Sequence, residues 1–202
     1  MDLDDILFAH RTPLVAEQVR SAMAADLRTK RLELSCEHQE QTQWCWAAVT
    51  SAISAFYTVA GTIRYPQCAL ARKQFDREDC CRSGSEPACN RWWYLDQSLS
   101  GTRNLEQILA GRQVEIEELQ KLLDAGRPVA ARIEWPDTTG HFVIIAGYEA
   151  TPDRVDLWIL DPWYGDALHS LDSFSTSYQG SGRWESTYLT KPGSVRHRGA
   201  RR

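Results

Sequence analysis

Between residues 128 and 190 the chain carries four apolar, strand-like segments: PVAARIEW (128–135), HFVIIAGYEA (141–150), RVDLWIL (154–160) and GRWESTYLT (182–190). PDTTG and TPD divide the first three, and these turn signals are too short to hold a crossover helix. Strands joined so tightly must pair antiparallel. A longer loop leads into the fourth.

The first half of the chain has a different period. Thr12-Pro13 reads as an N-cap followed by proline in the first turn, and Val15, Val19, Ala22, Met23 and Leu27 recur at helical spacing, which predicts a helix from about 13 to 28. RLELS (31–35) alternates and reads as a short strand. WCWAAVTSAISAFY (44–57) has no internal Gly or Pro and is apolar nearly all round, so it predicts a buried helix, with Gly61 as breaker. Residues 66–100 mix a short helix, a cysteine-dense loop and the aromatic patch RWWYL. In NLEQILAG (104–111), Asn104 and Gln107 stand at capping-box spacing and Gly111 terminates, predicting a helix. VEIEELQKLLDAGRP predicts another, with Ile116, Leu119, Leu122 and Leu123 on one stripe and Gly126 at its end. Helices first and consecutive strands later make the fold class α+β with an antiparallel sheet.

The 202 residues suffice for one well-filled domain or a small two-lobed one. A net charge of −4 gives no reason to expect nucleic acid or an anionic membrane as the main partner. The basic end, KPGSVRHRGARR, reads as a solvated, disordered tail over 191–202. No apolar run approaches the roughly 20 residues needed to span a bilayer. MDLDDILFAHRTPLV lacks the basic flank and apolar core of a secretory signal, so the expectation is a cytosolic protein, one exported by a leaderless route, or a trimmed chain.

Four of the six cysteines, Cys68, Cys80, Cys81 and Cys89, fall within 22 residues. Adjacent Cys80 and Cys81 cannot easily aim both sulfurs at one ion, so two disulfides are favoured over zinc, with three connectivities open and no metal expected. Disulfides point to an oxidising compartment.

Cys45 could be a small buried hydrophobe, a disulfide half, a metal ligand or a nucleophile. It sits where the buried helix starts, and the unpaired N–H groups and dipole there favour a negative sulfur. Gln39, six residues upstream, could supply an oxyanion donor beside the Cys45 N–H, with Gln41 and Gln43 as rivals. Of the five histidines, His10 and His197 lie in terminal extensions, His38 adjoins Gln39, and His169 falls in a polar turn. His141 opens a very apolar strand. Asp161 ends the next strand, where Pro162 stops it, and antiparallel neighbours bring such positions together.

The order of Gln39, Cys45 on a helix, His141 opening a strand and Asp161 ending the next resembles the papain-like cysteine peptidases. WCWAA, GHFVII-x-GY and DP-x-x-G, with the cysteine-rich segment between, are most similar to the bacterial branch, which includes effector proteases and the peptidase domains of bacteriocin exporters. The resemblance covers residues 31–190. It implies a two-lobed fold, with a helical lobe carrying the nucleophile and an antiparallel β lobe carrying His and Asp. It also implies Cys45 as nucleophile, His141 as base, Asp161 as orienter, Gln39 as oxyanion residue, and Trp163, two positions after the orienter, as a shield over the triad. The Gly-Ser before papain's nucleophile is replaced by Gln43-Trp44, so pocket residues do not carry over. Trp44 is kept as a candidate substrate contact.

The expected function is a cysteine endopeptidase acting on a protein or peptide substrate as a monomer, without cofactor, and delivered as a bacterial effector or toxin. The alternatives are a deamidase, transglutaminase or amidase with the same residues, and a non-catalytic binding module. Residues 1–30 are taken as a helical extension. Trp92, Trp93 and Tyr94 either line a cleft or fill the core. Cys36 defaults to a small buried residue, and a Cys36–Cys45 latch is the rival reading. Asp137 and Asp153 are taken as turn formers.

Overall fold

The computed structural model describes residues 27–58 and 65–193. The helix expected over 13–28 lies outside them except at its end, and Arg28 there belongs to a strand instead. That strand, β1 (Arg28–Arg31), precedes the RLELS segment expected to be one, so residues 28–30 join the sheet rather than an N-terminal extension.

Three of the four helices follow the expected pattern, α1 (Cys45–Phe56), α2 (Gln67–Phe75) and α4 (Ile116–Asp124), whereas α3 (Leu95–Thr102) forms where the sequence predicts no helix. The sheet contains β2 (Leu105–Leu109), β3 (Val129–Glu134), β4 (Gly140–Thr151), β5 (Arg154–Asp161), β6 (Gly165–Ser170) and β7 (Arg183–Thr190), in the order β2-β7-β3-β4-β5-β6. Strand β1 pairs with the far half of β4, whose near half pairs with β3. All these pairings are antiparallel.

Two expectations fail. NLEQILAG forms the edge strand β2 rather than a helix, because β7 offers it a free edge and Asn104 spends its groups on Lys191 across that edge. Tertiary pairing overrides a local capping pattern. The loop expected between β5 and β7 instead holds β6 and a short helix, α5 (Leu171–Thr176), so His169 lies in a strand rather than a polar turn.

The pleat sorts the core into two layers. Val129, Ala131, Ile133, Val143 and Ile145 face one way and pack with Leu119 and Leu123 of α4, Phe174 and Trp184. Ala130, Ile144 and Ala146 face the other way, against Trp46, Val49 and Ile53 of α1. Alanines at 130 and 146 leave room for the helix to seat on the sheet. α1 is buried from Trp46 to Ser54, so its sequence, apolar nearly all round, is what its position demands.

Both disulfides form within the cysteine-dense segment, as Cys68–Cys81 and Cys80–Cys89. Cys36 and Cys45 are free thiols, which removes the latch reading. Asp79 lies close enough to Cys80 and Cys89 to share an ion, but those two sulfurs are joined to each other. No helix among the described residues is long and apolar enough to cross a membrane.

Candidate active site

Cys45 is the first residue of α1, and no side chain caps that helix. The Trp44 and Ala47 N–H groups are taken by Gln41 O and Trp44 O, which leaves the Cys45 and Trp46 N–H groups and the helix dipole to act on whatever sits at the tip. The loop before it is fixed from two sides. Gln67 of α2, itself buried, accepts from Glu40 N and donates to His38 O. Asn90 of the cysteine-rich loop accepts from Gln43 N and donates to Thr42.

His141 and Asp161 meet across β4 and β5. Ile144 pairs with Leu160, so the next rung sets Asp161 opposite Val143, with His141 its diagonal neighbour on the same face. Nε2 of His141 lies 2.8 Å from Oδ1 of Asp161. This leaves Nδ1 free to serve Cys45, which lines the same cleft and acts on the imidazole. Burial opposes charge on the imidazole. The bond to Asp161, the bond to and charge of Cys45, and the charge of Asp161 together outweigh it and raise the His141 pKa from 6.5 to about 9.

The Asp161 side chain is fully buried and fully used. Oδ1 also accepts from Trp163 N at 2.6 Å and Tyr164 N at 2.9 Å, while Oδ2 accepts from the Tyr178 hydroxyl at 2.7 Å. Burial alone would raise its pKa. The bond to and charge of His141, with the Tyr164 N–H and Tyr178 hydroxyl, hold it below the ordinary carboxylate range.

The other expected residues separate. Gln39 is buried, at 4% exposure, and tied by its own N–H to Pro162 O at 2.9 Å, beside Asp161. One hydrogen of its amide goes to Gln41 O, which leaves the second for another acceptor. Gln43 lines the cleft directly. Trp163 meets Asp161 through its backbone, whereas its indole packs on His38 with centroids 5.4 Å apart. The rings of Tyr164 and Trp135 are those beside His141, at 6.3 and 6.4 Å. Trp44 is 0% exposed and donates to Cys89 O, so it is a core residue and not a substrate contact. Cys36 is no rival nucleophile, because burial, then Asp166, Asp161 and Glu37, push its thiol up to about 12.

A cleft of about 590 Å³ runs past Cys45 and His141, walled by Trp92, Trp93, Tyr94, Phe142 and Tyr188. Trp92 and Tyr94 are 65% and 51% exposed, while Trp93 packs on Phe75 and bonds Gln74. The aromatic patch thus divides between cleft and core. Tyr178, Gln67 and Asn90 were not singled out in the sequence. Each is an ordinary polar residue whose role depends on a partner 17 to 48 positions away.

A helix-tip cysteine facing a strand-borne His–Asp pair, in an α+β chain, defines the papain-like class of cysteine-peptidase folds. A solved structure from Bacillus anthracis described as a C39-like peptidase superposes with a TM-score of 0.51 at 15% identity, covering 83% of this chain and 100% of that one. A mite structure from work on the allergens Blo t 1 and Der p 1 gives 0.50 at 11% identity, over 78% of this chain and 67% of its own. At these identities the likeness speaks for the fold alone. The profile of the Peptidase C39 like family matches residues 31–190, and the chain belongs to that family. No curated protein matches it.

Proposed function

We propose that this protein is a cysteine endopeptidase in which Cys45, His141 and Asp161 act as a triad. The observation that carries the reading is Cys45 at the tip of α1 sharing one cleft with His141, which is itself hydrogen-bonded to a buried, charge-holding Asp161. The Cys45 sulfur attacks the scissile carbonyl carbon and forms a tetrahedral oxyanion, with the Cys45 N–H and Gln39 as donors. His141 gives its proton to the leaving amine. Water then attacks the thioester, His141 takes its proton, and the acid leaves as Cys45 is restored.

The cleft is the path for an extended peptide, and the substrate is a protein or peptide taken by the monomer. We read residues 31–190 as the peptidase domain, with the β1 residues 28–30 added by their place in its sheet and the remaining flanks outside it. Two disulfides fit work in an oxidising compartment, consistent with delivery as a bacterial effector or toxin.

The test is a mass-spectrometric comparison of lysate proteins exposed to the wild type and to Cys45→Ala. New peptide termini made only by the wild type are the expected result. Equal turnover by both overturns the reading, and ammonia release without new termini reassigns the chemistry to a deamidase or transamidase.

A further inference from the structure

Besides His141, a second side chain hydrogen-bonds Asp161, and it is a phenol. Tyr178 lies in the turn between α5 and β7, and its hydroxyl is 2.7 Å from Asp161 Oδ2. The turn is closed by reciprocal backbone bonds between Tyr178 and Gly182, at 2.7 and 2.8 Å. Only glycine fits at 182, since a Cβ there would stand 2.7 Å from Ile133 and 2.8 Å from Tyr178 O. Phe174 and His169 clasp the ring, with centroids 5.4 and 5.0 Å away. The backbone, ring and hydroxyl are thus all fixed, and the hydroxyl points at the one carboxylate oxygen that His141 does not use.

We infer that Tyr178 is a positioning residue that acts through Asp161, pinning the carboxylate so that one oxygen stays aligned on His141. This inference rests on the triad reading. A carboxylate with three donors on Oδ1 and none on Oδ2 would leave a buried, charged oxygen unpartnered, and rotation would share the Oδ1 donors between both oxygens. The tyrosine hydrogen bond removes that freedom. Burial, then the charge and hydrogen bond of Asp161, drive the Tyr178 phenol above its ordinary pKa, so it keeps its proton and remains a donor. The other ionisable groups around Asp161 are His141 on β4, His169 on β6 and Cys36 in the loop before α1.

The experiment is steady-state peptide hydrolysis across pH by wild type, Tyr178→Phe and Cys45→Ala, with rates expressed per alkylatable Cys45 in the first two. Tyr178→Phe is expected to lower kcat by about ten- to a hundredfold, the effect of losing one hydrogen bond to a buried charge, with KM little changed. The acid limb of its profile moves to higher pH, because Asp161 loses a donor to its charged form. A second variant carries a fluorinated tyrosine at position 178, which preserves shape and hydrogen bond while making the phenol more acidic, and its acid limb moves to lower pH. A Tyr178→Phe rate that recovers to wild type per alkylatable Cys45, or an unmoved acid limb in both variants, overturns the inference while the Cys45→Ala loss keeps the triad standing. Undiminished turnover by Cys45→Ala overturns the triad itself.

Discussion

The two disulfides hold a loop that forms one wall of the cleft, and removing them should damage binding more than chemistry. The loops closed by Cys68–Cys81 and Cys80–Cys89 span 13 and 9 residues. Chain-entropy arithmetic gives about 3 kcal/mol for each loop taken alone. The two overlap at residues 80 and 81, so their joint contribution is on the order of 4–5 kcal/mol. For a domain of this size that corresponds to roughly 8–20 °C in Tm.

Just beyond Cys89, the loop passes Trp92 and Tyr94 into the cleft. Its anchors on α1 and the preceding loop are Trp44 to Cys89 O, Trp46 to Arg91 O, and the Asn90 pair with Thr42 and Gln43. A variant with alanine at Cys68, Cys80, Cys81 and Cys89 should lose that Tm increment in thermal melts. It should also raise KM severalfold while kcat falls less, since the His141–Asp161 bond lies wholly within the sheet. Cys81 is exposed and Cys80 and Cys89 are buried, so mild reductant should open Cys68–Cys81 first. A Tm within about 2 °C of wild type, below any sensible share of the loop entropy, would refute the argument, as would a collapse of kcat at unchanged KM.

Further outcomes follow from the same geometry. In NMR titration His141 should change charge near pH 9, and in Cys45→Ala at lower pH, because the bond and charge of Cys45 are part of what raises it. Its folded pKa lies above the unfolded 6.5, so its share of stability, on the order of 3 kcal/mol, is complete below pH 6.5 and lost as pH rises through about 9; chemical denaturation at pH 6 and 9.5 measures it. Asp161 runs the other way, its share present above the ordinary carboxylate pKa and lost as pH falls through its depressed one. Gly147→Ala should strip β1 from β4, since the new Cβ would stand 2.3 Å from Lys30 O; amide exchange would show β1 unprotected, at a cost of about 1–3 kcal/mol by denaturation. Trp92→Ala should raise KM for peptides about tenfold or more, with kcat near wild type, in a steady-state assay.

Cys45, His141 and Asp161 could be named before the fold was known because each sits at the end of an element whose period is legible. Cys45 begins the longest uninterrupted apolar helix, His141 begins a long apolar strand, and Asp161 ends its neighbour at a proline. Tight connections then force the strands into antiparallel register, and register alone carries His141 to Asp161. The nearest ring to His141 is not inferable in that way. The resemblance to papain implies Trp163 over the pair, but the turn after β5 directs its indole to His38, and Tyr164 stands beside His141.

What stayed hidden depends on who lies alongside. NLEQILAG carries helix-start signals, yet the open edge of β7 offers it a full set of backbone partners, and local capping energies of about 1 kcal/mol do not compete with a sheet edge and its packing. The sequence of β6 and α5 reads as loop, because GDALHS alternates weakly and LDSFST is too short to show a period. Missing those two elements meant missing Tyr178, whose approach to Asp161 depends on them. α5 and the turn after it bring the chain back over β5 and β6, so a residue 17 positions beyond the acid closes on its second oxygen. An element end can be read from one segment alone, while a second-oxygen donor to a buried carboxylate is specified only by three segments together.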